Sequence, residues 1–344
     1  MKYSILSILV LFANADAFNN NHTLSIETFD STTVYPAYAP YHEDYLSVSS
    51  LHKLYYAEFG NPNGVPVLVV HGGPGAGCYP AWSGYFDPEY YHVIMLDQRG
   101  AGKSLPAAEM NENTTQHLIN DMEVLRQHLH IDSWILFGLS WGSALSLLYA
   151  EQYPQHVQAL VIQGVFLARK QDYEHLFYGM KQFYPEAWDV MVQDFSPEEC
   201  NDLISAFHAR IMNPDTTIHL PAAHTFMRFD CLCTTLLPYS EWIERVQQND
   251  HLALTISRAF IHYSAQNFFV EENQILNNIN AIQHIPTIII QGRYDIICPI
   301  AMAYELYKHL PQSTLWIVAN AGHFSQSISR GLCYAMNELK HHTL

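Results

Sequence analysis

The sequence predicts an α/β fold in which a mostly parallel, doubly wound sheet is interrupted by a helical insertion. Short β-branched runs alternate with amphipathic helical patterns along most of the chain, which is typical of strands buried on both faces of a parallel sheet. The alternation stops between residues 169 and 280, where the sequence is aromatic-rich and helical, and then resumes. Such an insertion indicates a cap over the carboxyl edge of the strands, where α/β proteins bind their ligands.

Six strands and three core helices are predicted in chain order. The strands are expected at residues 67–70, 93–96, 135–137, 160–162, 287–290 and 315–318. Helical patterns occupy residues 118–129, 141–153 and 301–310. Prolines at 185, 197, 214, 221 and 238 are expected to punctuate the insertion. We therefore expect a core made of residues 18–168 and 281–344, with a helical cap at residues 169–280.

The composition excludes several classes of protein. Among 344 residues, 33 are Asp or Glu and 16 are Lys or Arg, which gives a formal net charge of −17 and argues against a nucleic-acid-binding surface. Hydrophobic residues make up 49% of the chain, which is enough for a large buried core and too many for a disordered protein.

Residues 1–17 have the pattern of a secretory signal peptide. Lys2 precedes an apolar run at residues 5–12, and Ala15 and Ala17 offer alternative cleavage sites. The run is too short to span a bilayer, and a buried N-terminal strand is the alternative interpretation. We expect an exported protein, periplasmic or extracellular, that is not held in a membrane after removal of the signal.

The sequence indicates neither a cofactor nor a metal site. The six cysteines are an even number, which permits disulfides in an exported chain without requiring them. Cys231 and Cys233 form a C-x-C pair that lacks the His and Cys spacing of a zinc site. The glycine run at residues 72–75 lacks a phosphate-binding pattern.

A G-x-S-x-G motif at residues 138–142 follows a predicted strand and precedes a predicted helix. This is the strand, turn and helix context of a nucleophile elbow, in which small residues allow a tight turn that exposes the serine. Ser140 is therefore the candidate nucleophile. A serine hydroxyl needs a histidine base oriented by a carboxylate.

Asp295 and His323 complete this requirement in the order Ser, Asp, His that is expected for the elbow motif. Each follows a predicted strand, so both should lie at the same sheet edge as Ser140. The HGGPG sequence at residues 71–75 resembles an oxyanion-hole loop. We assign the two oxyanion donors to the backbone N–H groups of Gly73 and Trp141.

The motifs together resemble the proline iminopeptidase (prolyl aminopeptidase) family of serine peptidases. The resemblance covers nearly everything after Leu54 and rests on HGGPG, DQRG followed by AGKS, GLSWGS, GVF-x-x-RK, GRYD and AGH. It implies a cofactor-free α/β-hydrolase with a helical cap that releases N-terminal residues, typically proline, from small peptides with a free N-terminus. Asp97 and Arg99 of DQRG are interpreted as structural braces for the loops at the sheet edge.

The cap of this family usually supplies two glutamates that bind the α-amine of the substrate. Here the first position is Asp230, and an ungapped alignment places Phe260 at the second. An arginine that usually precedes G-x-F is Gln163, and Phe166 belongs to this segment. Asp230, Phe260 and Phe166 are thus the substrate-binding candidates, although Phe260 also fits the cap core and Asp230 a surface loop.

The weakened amine site leaves an esterase or amidase open as an alternative to an aminopeptidase. A non-catalytic binding protein of the same fold is a further alternative. An epoxide hydrolase or dehalogenase is excluded, because its nucleophile is a carboxylate and position 140 is a serine. The oligomeric state stays open.

Overall fold

The computed structural model describes residues 22–237 and 240–341, so the predicted signal peptide lies outside the described residues. The strands are β1 (His22–Glu27), β2 (His42–Ser47), β3 (Lys53–Gly60), β4 (Val65–Val70), β5 (Tyr91–Leu96), β6 (Trp134–Leu139), β7 (Val157–Gln163), β8 (Thr287–Gly292) and β9 (Ser313–Val318). They form one sheet in the order β1-β9-β8-β7-β6-β4-β5-β3-β2.

The α-helices are α1 (Thr115–His128), α2 (Trp141–Gln152), α3 (Lys170–Glu174), α4 (Pro185–Val192), α5 (Leu203–Ile211), α6 (Thr216–Cys233), α7 (Ser240–Gln247), α8 (Asp250–Ala265), α9 (Gln274–Asn277), α10 (Ile300–His309) and α11 (Gln326–His341). Short 3₁₀ helices lie at Pro80–Tyr85, Pro154–His156, Met180–Gln182, Glu199–Asn201, Asn267–Phe269 and Ile279–Ala281, and a π-helical turn lies at His175–Gly179.

The six predicted strands correspond to β4 to β9, and all six are confirmed. Strands β5, β4, β6, β7, β8 and β9 pair in parallel with their neighbours, so their carboxyl ends meet at one sheet edge. The sequence reasoning missed β1, β2 and β3. Of these, β2 and β3 run antiparallel at one end of the sheet, and β1 lies parallel to β9 at the other.

Both faces of the sheet are covered, as the continuous apolar strands predict. Leu68 and Val70 point into one buried cluster that also contains α1, α2 and cap residues. Val67 and Val69 point into a second cluster, which is closed by α11. This alternation follows from the two-residue period of a strand.

Helices α3 to α9 fill the chain between β7 and β8. Pro185 opens α4 at its first turn, where a missing N–H costs no hydrogen bond. Pro221 lies inside α6, so the expectation that it punctuates the cap is wrong at this position. Within residues 22–237 and 240–341, no helix has both the length and the apolar character needed to cross a membrane.

Candidate active site

Ser140 lies at a sharp turn between β6 and α2. Its backbone has φ 56° and ψ −122°, a strained conformation that a non-glycine residue adopts only where its surroundings enforce it. The Ser140 N–H donates to the Gln163 carbonyl at 2.8 Å. A Cβ on Gly142 would lie 2.0 Å from the Val70 carbonyl oxygen, so only glycine allows α2 to start this close to β4.

His323 and Asp295 form a buried hydrogen-bonded pair behind this turn. Nδ1 of His323 lies 2.8 Å from Oδ2 of Asp295, and the two residues are 2% and 3% exposed. Oδ1 of Asp295 accepts backbone N–H groups from Ile297 at 3.1 Å and Cys298 at 2.9 Å. Since Nδ1 donates to the carboxylate, Nε2 is left as the basic nitrogen. Ser140 and His323 line the same cavity.

Two carboxylates act on the His323 imidazole. Burial alone would lower the pKa of His323, but the charges of Asp295 and Asp230 outweigh it and raise this pKa above its ordinary value. Burial also raises the pKa of Asp230 to about 6, against a smaller opposing effect of His323. Asp295 therefore orients the imidazole, while Asp230 acts on it from the cap side of the cavity.

The oxyanion candidates Gly73 and Trp141 line this cavity as well. Trp141 is the first residue of α2, and a first-turn N–H has no acceptor within its own helix. The loop that carries Gly73 is held by the neighbouring His71, whose Nε2 accepts the Gln98 N–H at 3.0 Å. Burial lowers the pKa of His71 to about 4, so the ring is a neutral acceptor at pH 7.

The residues of DQRG lie outside the cavity lining and act as braces. Asp97 accepts the backbone N–H of Cys78 at 2.6 Å and that of Lys103 at 2.8 Å, which ties the glycine-rich loop to the loop after β5. Arg99 makes a two-pronged pair with Asp121, with both N···O distances at 2.7 Å. These contacts agree with the structural interpretation of both residues.

The structure brings all three substrate-binding candidates to the cavity. Asp230 of α6, Phe260 of α8 and Phe166 after β7 face it together with Ser140. Phe260 is 6% exposed and stacks on Phe226 at a centroid distance of 5.4 Å. Phe260 is therefore both cap core and cavity wall.

The Asp230 carboxylate has no hydrogen-bond or ion-pair partner among the described residues. It is partly buried, so its charge has lost water without gaining a protein donor. Such a group is suited to bind a cation that enters the cavity.

Several lining residues were missed in the sequence. Tyr79 and Trp82 follow the HGGPG loop, and Trp242 comes from α7. The rings of Trp82 and Trp242 lie 5.2 and 6.0 Å from that of Tyr79. An aromatic residue directly after the glycine-rich loop was an available signal for Tyr79, whereas nothing near Trp242 in the sequence marks it.

All six cysteines are free, which resolves the open question of a disulfide. The part of the chain that the structure describes contains no group of three His, Cys, Asp or Glu residues placed to hold a metal ion.

Comparison with known proteins defines the class to which this fold and site belong. A family model described as "alpha/beta hydrolase fold" matches residues 65–328. A hydrolase titled an "alpha/beta fold family hydrolase" from Bacillus anthracis str. Sterne superposes with a TM-score of 0.58 at 17% identity, over 88% of this chain and 99% of that one. The chain is thus an α/β hydrolase.

Relatives of higher sequence identity show to which family of α/β hydrolases the chain belongs. The chain is 42% identical over 292 residues to "Probable proline iminopeptidase" of Leptolyngbya boryana, covering 84% of this chain and 91% of the relative. It is 40% identical over 321 residues to "Proline iminopeptidase" of Arabidopsis thaliana, covering 91% and 84%. The chain belongs to the proline iminopeptidase family, and the prediction of a serine hydrolase is confirmed.

Proposed function

We propose that the protein is an exported serine aminopeptidase that releases N-terminal residues, with proline preferred, from small peptides. The observation that carries the proposal is the unpartnered Asp230 carboxylate in the cavity that contains Ser140. A peptide with a free N-terminus has an ammonium group within a few bonds of its first scissile carbonyl. Asp230 is placed to bind the ammonium group, and Ser140 is placed to attack the scissile carbonyl of the same substrate.

The reaction follows the logic of a serine triad. Ser140 Oγ attacks the carbonyl carbon of the first peptide bond while His323 Nε2 accepts the hydroxyl proton. The resulting oxyanion is bound by the N–H groups of Gly73 and Trp141. When the C–N bond breaks, His323 returns the proton to the leaving amine, and an acyl-enzyme remains. Water then attacks this ester with His323 again as the base, which releases the amino acid and restores Ser140.

The aromatic wall supports a preference for an apolar first residue. Phe166 is 5% exposed and packs against Phe268 at a centroid distance of 5.0 Å, and Phe260 lies 6.0 Å from the same ring. A pyrrolidine ring placed against these rings gains contact without leaving a polar group unpaired. The names of the relatives of this chain agree with proline as the residue to test first.

A panel of substrates tests the proposed activity. Prolyl, alanyl and leucyl chromophore amides, their N-acetyl counterparts and a short-chain p-nitrophenyl ester are given to the purified protein and to Ser140→Ala. We expect the free prolyl amide to be cleaved with the highest kcat/KM and the variant to be inactive. Activity that survives in Ser140→Ala would refute a serine mechanism.

An esterase or amidase is the second candidate, favoured by the phenyl ring of Phe260 where the family has a second carboxylate. Blocked amides and esters that are turned over at least as well as the free prolyl amide would establish it.

Export is proposed from residues 1–17 alone. N-terminal sequencing of protein recovered outside the producing cells tests it, and a mature chain that begins at Asp16 or Phe18 is the expected result. A chain that stays inside the cells with Met1 or Lys2 at its N-terminus would refute it.

A further inference from the structure

Two buried glutamines lie at the carboxyl ends of neighbouring strands, directly behind the triad. Gln163 ends β7, Gln291 is the penultimate residue of β8, and both are fully buried. The orientation of the Gln291 amide is fixed by its partners. The Val165 N–H donates to Oε1 at 2.9 Å, whereas Nε2 faces two acceptors, Oδ2 of Asp295 at 2.8 Å and the Cys298 carbonyl at 2.7 Å. A flipped amide would lose all three hydrogen bonds.

Gln291 shares one carboxylate oxygen with the catalytic histidine. Oδ2 of Asp295 accepts from both Gln291 Nε2 and His323 Nδ1, while Oδ1 accepts two backbone N–H groups. The carboxylate plane is thereby held by four donors. Of these, Gln291 is the one side chain other than His323, so it is the donor that a substitution can remove.

We propose that Gln291 is a positioning residue that holds the Asp295 carboxylate against His323 and moderates how strongly that carboxylate attracts the imidazolium proton. A donor on Oδ2 withdraws part of the negative charge that His323 would otherwise experience. Loss of this donor should therefore make His323 harder to deprotonate and leave the carboxylate less firmly held, by three donors instead of four. The inference rests on the proposed function, because it assigns His323 as the base.

Among the described residues, few ionisable groups besides Asp295 lie near His323 and could change how easily it is deprotonated. Asp295 from the loop after β8 and Asp230 from α6 are the charges that act on the imidazole. The Cys298 thiol, in contact with Ser140, has a pKa raised well above its ordinary value by burial and is neutral at pH 7. Substitution of Gln291 leaves all three of these groups in place.

Gln163 provides a matched control on the adjacent strand. Its Nε2 donates to the backbone carbonyl of His323 at 2.8 Å, and its own carbonyl accepts the Ser140 N–H. Its Oε1 is buried and has no hydrogen-bond partner among the described residues. Gln163 thus touches the backbone of the triad but neither the imidazole nor the Asp295 carboxylate.

The test compares pH profiles of kcat/KM for the prolyl amide and the ester between pH 5 and 9. Gln291→Met keeps the length of the side chain and removes its donor, and Gln163→Met does the same one strand away. For Gln291→Met we expect kcat to fall about tenfold or more with little change in KM. The acidic limb, which reports deprotonation of His323, should move up by about half a pH unit or more. Gln163→Met should lower the rate without moving the limb.

Gln291→Glu is the second variant, because it preserves shape and the acceptor for Val165. Buried beside Asp295, the new carboxyl group is protonated and still donates to Oδ2, so the acidic limb should stay near that of the wild type. The inference is overturned if the limb of Gln291→Met stays at the wild-type pH, or if Gln163→Met moves it equally. It is also overturned if neither Gln291 variant unfolds cooperatively, because the residue is then purely structural.

Ser140→Ala measured in parallel separates this inference from the proposed function. Residual turnover in Ser140→Ala would remove the triad assignment itself. An inactive Ser140→Ala together with an unshifted limb in Gln291→Met would leave the triad intact and refute the role of Gln291 alone.

Discussion

Replacement of Asp230 by asparagine should stabilise the folded protein and at the same time weaken its recognition of free N-termini. The carboxylate lines the cavity without a protein donor, and burial raises its pKa to about 6 from an ordinary 3.8. Asparagine has nearly the same shape and no charge. The variant therefore isolates the cost of the unpaired charge from the cost of a cavity.

The size of the effect follows from the two pKa values. The difference between 6 and 3.8 corresponds to about 3 kcal/mol against folding when Asp230 is ionised. The asparagine amide is itself without a partner, which costs about 1 kcal/mol, so a net gain of about 2 kcal/mol remains. Because the folded-state pKa is the higher one, wild-type stability falls as pH rises from 3.8 to 6. The advantage of the variant is thus absent below pH 3.8 and complete above pH 7.

Urea unfolding followed by tryptophan fluorescence at pH 4, 6 and 8 measures the gain. Asp189→Asn is the matched control, since it removes the same charge from an exposed position on the cap helix α4. In parallel, the ratio of kcat/KM for free and N-acetylated prolyl amides should fall by about ten- to a hundredfold in Asp230→Asn, as expected for the loss of a charged hydrogen bond. Unchanged stability at pH 8 together with an unchanged ratio would show that Asp230 is not the unpaired amine-binding group.

Three further substitutions probe other parts of the site. Phe260→Glu should raise selectivity for free over blocked amides. It should also lower the free energy of unfolding by at least about 2 kcal/mol, because it buries a charge among the rings of the cap. A lower stability without a gain in selectivity would show that the alignment of this position is wrong. Asp121→Ala should cost about 3 kcal/mol in urea unfolding, because it removes the two-pronged partner of the buried Arg99 and leaves only the longer pair with Glu112 at 3.8 Å. Glu174→Ala, which breaks an exposed pair with Lys170, should cost less than about 1 kcal/mol. Gly142→Ala should abolish activity and lower the thermal midpoint, since its Cβ would lie 2.0 Å from the Val70 carbonyl oxygen; a wild-type rate would contradict the geometry of the turn.

The strands that the sequence revealed differ in burial from two of the three that it concealed, β1 and β2, whereas the third, β3, is largely buried and was missed all the same. β4 to β9 are buried along most of their length, so each is a continuous apolar run that needs no partner to be recognised. β1 and β2 lie at the two edges of the sheet and are exposed or half-buried throughout. Their residues are polar enough to resemble a loop, and only pairing with β9 and β3 makes them strands.

The same distinction between local and non-local information applies to the site. Ser140, Asp295 and His323 each follow a strand within a short motif, so their placement depends on local chain direction and on the parallel sheet. Trp242 reaches the cavity from α7, where its ring lies 6.0 Å from that of Tyr79, a contact between residues far apart in the sequence. The contact of Gln291 with Asp295 depends on side-chain rotamers, which a sequence motif does not encode.

The two carboxylates that act on His323, those of Asp295 and Asp230, differ in their number of hydrogen-bond donors, and this difference indicates a separate role for each. Asp295 has four hydrogen-bond donors and gives the imidazole a fixed orientation, whereas Asp230 has none among the described residues and still raises the pKa of His323. Under the proposed function, an ammonium group bound to Asp230 would neutralise that second charge, and its pull on the imidazolium proton would weaken when the substrate arrives. His323 would then be easier to deprotonate at the moment when Ser140 needs a base. Because a blocked N-terminus cannot produce this change, we expect Asp230 to favour free amines in the chemical step as well as in binding.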